Sequence, residues 1–319
     1  MSTLAPDAPP VISGDAPIQG RTPWQLFWGR FKQDRLAFFG LAIIVLMVLL
    51  AFIAPLFASL TGHGPNETFT SMKDSFGLPK GPNSTFLLGA DDAGRDVLVR
   101  LAYGSRVSLI VGIVASGIAL VIGVVVGVLA GYLGGWVDTL ISRVGDVFLA
   151  LPLVIFAIGI VAACSTSEQG CLGGHLKPGL MLVIVIIALF SWPTPARLVR
   201  GATLSLREKE FIEAARALGA KERTIMVREL LPNLMAPIVV YGSLLIPSSV
   251  LFESYLSFLG LGVPGDTPSW GKMLAESVGI FRVAWWFWLF PGIFLMLTVL
   301  AFNLLGDGLR DALDPRTGR

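Results

Sequence analysis

Residues 210–233 read EFIEAARALGAKERTIMVRELLPN. The segment is dense in Glu, Lys, Arg and Ala, which favour helix. Apolar runs lie on either side of it, over about 179–198 and 234–257. Each is long enough to cross a hydrocarbon layer of ~30 Å. A charged helical segment between two such runs predicts an all-α, polytopic membrane protein with a solvated helical loop.

The loop has internal punctuation. A helix is expected from Leu204 to Leu218, with Phe211, Ala215 and Leu218 sharing one face at i, i+4 and i+7. Arg207, Glu210 and Glu213 cover another face. Gly219 follows, where a helix end calls for φ > 0. A second short helix is expected from about Lys221, carrying Ile225 and Met226. Leu231-Pro232 then opens the next run, since proline suits a helix's first turn. An elbow with an apolar strip fits a groove on a partner. A plain amphipathic linker shows the same periodicity.

Of the 319 residues, 54% are hydrophobic and 14% charged, against about 25% charged in soluble domains. Six spans are expected, at about 36–58, 107–130, 144–163, 179–198, 234–257 and 284–305. If the N-terminus lies inside, the inner segments hold 16 Lys and Arg and the outer ones 7, with Arg106 at a boundary. That asymmetry predicts both termini, and the loop 199–233, in the cytoplasm. Basic residues cluster at the ends of apolar runs, so no nucleic-acid surface is implied, and membrane lipid is the expected surrounding.

Residues 1–20 are rich in Pro, Ala and Gly and lack a basic stretch followed by an apolar one, so they read as a disordered tail and not a cleaved signal. Residues 21–35 carry Trp24, Phe27, Trp28 and Phe31 on one helical stripe, an interfacial helix leading into the first span. Trp285, Trp286 and Trp288 read as an aromatic belt. Residues 59–106 form a long polar external loop, 107–305 the membrane core and 306–319 a cytoplasmic tail. Cys164 and Cys171 fall in an outer loop, where an oxidising environment permits a disulfide. Two unpaired thiols fit the sequence equally well.

Gly123, Gly127 and Gly131 form two overlapping GxxxG steps, which predict close helix packing. Pro152, Pro193, Pro195, Pro237, Pro247 and Pro291 lie in or beside spans, as in helices that bend around a cavity or move. Asp146 is expected to pair with Arg143 at i, i+3. Glu253 lies in the outer half of a span, and Tyr255 beside it. Either it lines a translocation path or it is a structural carboxylate paired across helices.

The chain contains neither GxxxxGK[ST] nor HExxH, and its two histidines, His63 and His175, read as solvated loop residues. Phosphate-cradling and zinc-hydrolase chemistry thus have no motif here. An ion- or proton-coupled secondary transporter would show inverted repeats, and none is evident. A channel or assembly scaffold is the remaining alternative.

Glu213-Ala214-Ala215, Gly219, and Leu231-Pro232 at their spacing resemble the EAA loop of ABC-importer permeases. Four other stretches narrow this: LGADDAGRDVLVRLAYGSRVSL (88–109), RLVRGATLSL (197–206), RELLPN (228–233) and YLSFLGLGVPGDTPSWG (255–271). In order, they resemble the second permease subunit of dipeptide/oligopeptide ABC importers, over about residues 24–315. Glu229 and Pro195-Ala196 depart from that family's usual residues. The resemblance implies a bacterial inner-membrane protein that pairs with a homologous permease subunit, docks two cytosolic ATPases and receives cargo from an external solute-binding protein. It further implies no cofactor in this chain, with ATP and Mg bound by the ATPase subunits. The 204–232 loop would carry the coupling, through Glu213, Ala214, Ala215, Gly219, Leu231 and Pro232.

Overall fold

The computed structural model describes residues 23–165, 171 and 178–313. The expected tail at 1–20, His175 and the end of the chain lie outside them. Among the described residues there is no strand.

A short helix α1 (Pro23–Phe31) leads into α2 (Arg35–Thr61). Asp34 caps α2 by accepting from the backbone N–H of Leu36 and Ala37 at 2.9 and 3.0 Å, which satisfies donors every helix start leaves open. Phe31 is buried against Ala37 and Ala312, flanked by Phe27. The first helix is therefore clamped to the bundle, where sequence suggested a membrane-surface anchor alone. Within α2, Pro55 has no N–H for the Ala51 carbonyl. Arg106 Nε supplies that bond from the next helix, and its Nη2 reaches the Phe52 carbonyl at 3.2 Å.

The expected external loop 59–106 ends ten residues early, because α3 (Val97–Leu133) starts at Val97. The cap is Asp96, whose Oδ1 accepts from Leu98 N at 2.9 Å. Hydropathy sees only the apolar middle of this helix. Residues 62–96 make a compact cap on the far side of the bundle from the termini. His63, expected in solvent, is buried there, with Nδ1 2.8 Å from Asp96 Oδ2 and its ring between Phe69 and Phe86.

Helices α4 (Gly135–Ala150) and α5 (Leu153–Ser165) meet at 86°. Then come α6 (Leu180–Ser191) and α7 (Pro193–Arg207), which continue as one apolar segment. The glycine seam shows how the chain is threaded. A Cβ on Gly123 would meet Pro195, on Gly127 the Ala196 carbonyl at 2.6 Å, and on Gly131 Thr203. Contacts that advance together along both helices mean that α3 and α7 run parallel. The chain must recross the bundle between them, so the bent pair α4–α5 is a crossing. It joins five longer helices that meet the length and apolarity of a span, which gives six among the described residues.

Beyond α7 come α8 (Glu210–Ala217), α9 (Glu222–Thr224), a π-helical stretch Ile225–Leu230 and α10 (Leu231–Phe258). The last three join without a break over Glu222–Phe258. Helix α10 packs antiparallel to α3, with Ser116 and Ser249 hydroxyls 2.8 Å apart. Helix α11 (Trp270–Ser277) lies in the far-side cap, and α12 (Trp285–Leu313) returns to the termini side. A tail from 306 was expected, but α12 stays helical to Leu313. Gly308 there packs against Ala37, and Ala312 against Phe31. Of the expected aromatic belt, Trp285 and Trp288 are exposed, whereas Trp286 is buried and donates to the Ala90 carbonyl at 2.9 Å.

Candidate coupling site

The loop between α7 and α10 is an elbow, but not the one drawn from periodicity. The helix expected over Leu204–Leu218 is broken at Glu208, so α8 does not continue the line of α7. Its end is a Schellman motif: Ala220 N donates to the Ala215 carbonyl at 3.0 Å and Gly219 N to Arg216 at 2.9 Å. Gly219 has φ +78°, and a Cβ there would meet nothing within 4 Å. The backbone conformation, not crowding, demands glycine.

Helix α8 buries Ile212, which periodicity did not single out. Ile212 sits in a cluster with Val128 and Tyr132 of α3, Val199 of α7, and Ile225, Leu230 and Leu234 leading into α10. Ala215 packs on the same cluster. Phe211, Ala214 and Leu218 point outward, at i, i+3 and i+7, with Leu218 88% exposed. Glu213 is exposed beside them. The face expected to hold Phe211, Ala215 and Leu218 together is thus divided. Breaking the helix at Glu208 let Ile212 and Ala215 set the inward direction. Arg216 covers the Tyr132 ring, its guanidinium carbon 5.4 Å from the centroid.

Leu231-Pro232 does not restart the chain. Pro232 sits within a continuous helix, immediately after the π-helical stretch, where wider i→i+5 pairing tolerates an interrupted ladder. Asn233 Nδ2 donates to the Glu229 carbonyl at 2.7 Å. For the Glu229 side chain the structure offers no explanation.

Two ion pairs bind α4 to α7 near the elbow. Arg200 holds both oxygens of Asp138, and Arg197 Nη2 lies 2.5 Å from Asp146 Oδ1. The expected Arg143–Asp146 pair is replaced by one that crosses helices. Arg207 Nη1 reaches the Gly131 carbonyl at 3.2 Å and closes the foot of the α3–α7 seam.

The membrane carboxylate behaves differently from a path residue. Glu253 is fully buried between α3, α10 and the start of α11. It accepts from Ser108 Oγ at 2.8 Å and from Ser257 Oγ at 2.6 Å. Ser108 Oγ in turn accepts from Trp270 N at 3.3 Å. It ties three helices together away from any open surface, so the structural alternative describes it. Tyr255, two residues on, is exposed on the opposite face of α10. Cys164 and Cys171 are joined in a disulfide.

The far-side cap holds a charge network that sequence reading left unassembled. Arg95 Nε lies 2.6 Å from Asp91 Oδ2, its Nη2 3.1 Å from Glu276, and the fully buried Arg100 contacts Asp91 and Glu276 as well. Asp91, Asp92 and Glu276 converge, but the two guanidiniums already take Asp91 Oδ2 and Glu276 Oε2. The signal lay in Asp91–Arg95 at i, i+4; the partner on α11 lay out of reach of any local pattern. Burial, then the charges of Asp91 and Glu276, push the Asp92 carboxyl above its ordinary value.

A bundle with a glycine-bent elbow on one side and a charged cap on the other has counterparts. The family model described as "Binding-protein-dependent transport system inner membrane component" matches residues 123–319. A second model, the N-terminal TM domain of oligopeptide transport permease C, matches 22–79. The chain belongs to this family of transport permeases.

Among its relatives, the dipeptide transport system permease protein DppC of Alkalihalophilus pseudofirmus is 41% identical, over 99% of this chain and 96% of its own. The oligopeptide transport system permease protein OppC of Escherichia coli K12 is 42% identical, over 94% and 93%. The glutathione transport system permease protein GsiD of Shigella flexneri is 42% identical, over 97% and 95%. Among solved structures, a chain of the MetNI methionine ABC transporter superposes with TM-score 0.55 at 22% identity, covering 67% of this permease and 96% of that chain. That likeness establishes the fold alone. It matches two thirds of this multi-pass helical membrane protein.

Proposed function

We propose that this permease forms half of the translocation pathway of an ATP-driven peptide importer. It pairs with a homologous permease subunit, and an external solute-binding protein delivers dipeptides or oligopeptides to the capped side. Both termini and the elbow face the cytoplasm, where two ATPases dock and bind ATP and Mg. The observation that carries this reading is the two-sided α8. Its outward stripe of Phe211, Ala214 and Leu218 is apolar and exposed, while its inward Ile212 is keyed into α3, α7 and α10. A partner seated on the stripe that moves between two positions biases the packing of three spans at once. The cargo is inferred from relatives named for dipeptide, oligopeptide and glutathione transport.

The test is purification with candidate ATPases, followed by reconstitution and uptake of labelled peptides of graded length with and without ATP. Stoichiometric ATPase and ATP-dependent uptake are expected. Uptake driven by an ion gradient, with no ATPase bound, would replace this reading with a secondary transporter.

A further inference from the structure

The bend between α4 and α5 lies beside the junction of α6 and α7. At Leu151 the backbone leaves the α4 helix in an extended conformation, and α5 departs at 86°. Across from it α6 gives way to α7 at Trp192, midway along a 28-residue segment. The Phe148 ring meets those of Phe190 and Trp192 edge-on, at 5.6 and 5.8 Å. Between this bend, the α6–α7 junction and α10 lies a cavity of about 320 Å³.

Its chemistry is unusual for mid-membrane. Ser191, Thr194, Tyr241 and Ser248 line it, with phenylalanines between them. Thr194 and Ser248 are exposed. Pro152 has no N–H for the Phe148 carbonyl, so the bend adds a backbone acceptor. Irregular backbone at membrane depth persists only where protein buries it or a water-filled cavity borders it, and polar side chains there face the same way. None of the lining residues is ionisable to a charge at neutral pH. On the same two helices, α4 and α7, Asp146 and Arg197 are paired with each other.

We propose that this cavity is the permease's contact surface for cargo in transit, and that it engages the peptide backbone and apolar side chains without reading side-chain charge. Hydroxyls and a carbonyl offer donors and acceptors to any peptide bond, whatever its side chains. A fixed charge would hold oppositely charged cargo and repel the rest, whereas passage needs contacts weak enough to release. The inference rests on the peptide-importer reading above.

The test uses Ser248→Cys in the assembled transporter. The chain's own two cysteines are disulfide-bonded, so in this subunit the new thiol is the free one. After folding, it is modified with anionic, cationic or neutral methanethiosulfonate reagents of similar size. Uptake is then compared for labelled dipeptides of net charge −1, 0 and +1. Uptake of all three by the unmodified Ser248→Cys transporter sets the baseline. The anionic adduct should raise the ratio of cationic to anionic cargo by roughly threefold to tenfold, and the cationic adduct should lower it similarly. Thr194→Cys should repeat the pattern. Adducts of opposite charge with the same effect on every cargo would overturn the cavity's role, even with ATP-dependent uptake intact. An unmodified wild-type complex that takes up no peptide with ATP would instead overturn the parent reading, and this inference with it.

Discussion

At residue scale, Gly219 and Glu253 separate two kinds of constraint. Gly219 needs its backbone conformation and no room, so Gly219→Ala and Gly219→Leu should do similar harm. Each imposes a left-handed strain of about 1–2 kcal/mol on the elbow, while Gly219→Asn, tolerant of that region, should do less. The measurement is peptide uptake per ATP hydrolysed in the reconstituted complex. A much larger loss for Leu than for Ala would show that space matters after all. Glu253 is held by hydroxyl donors, so Glu253→Gln keeps an acceptor and should unfold close to wild type in detergent. Glu253→Ala strands Ser108 and Ser257 and leaves a void, and should destabilise by about 2–4 kcal/mol. Gly219 was legible in sequence because a helix-terminating glycine is a local signal. Ile212 was not, because α8 is too short for periodicity to choose between its faces. Asp146 found Arg197 instead of Arg143, a partner 51 positions away that no local rule ranks.

At element scale, the α3–α7 seam was readable in advance and the ends of its helices were not. Three glycines at four-residue spacing announce a close approach whatever the partner. The start of α3 at Val97 depends on Asp96, a polar cap outside the apolar window. The seam gives a paired prediction. In Gly127→Ala the new Cβ meets the Ala196 carbonyl at 2.6 Å, and backbone cannot step aside cheaply, so a loss of about 1–3 kcal/mol is expected. Gly117 is on the same helix with nothing within 4 Å. Gly117→Ala should therefore be neutral or stabilising by up to about 1 kcal/mol, from helix propensity. Thermal unfolding of the two purified variants checks the contrast, and equal effects would count against the seam.

For the whole molecule, the far-side cap joins the first loop to α11 and α12 through Arg95, Arg100 and Glu276 and through Trp286 on Ala90. Sequence separated these parts by almost two hundred positions, which is why the network was invisible to it. The count of crossings was legible from hydropathy, but the bend that makes the third one was only hinted at by Pro152. The cap has a pH signature. Asp92 binds its proton more tightly in the folded state than in the unfolded chain, so its ionisation opposes folding as pH rises through the folded value. Asp92→Asn should raise the unfolding midpoint at about pH 7, and the gain should shrink as pH falls and vanish well below about 4, where both states are protonated. A gain that is constant with pH would assign the effect to something other than this carboxyl.

The parallel seam also bears on how the protein is made. Gly127 meets its partners near Val199 only after about seventy further residues have been synthesised. At roughly 5–20 residues per second, that is several seconds during which α3 waits in the membrane with its glycine face uncovered. The intervening bent pair, α4–α5, must cross back before α7 can dock. A lesion in that bent pair should therefore be felt first as failed insertion and degradation.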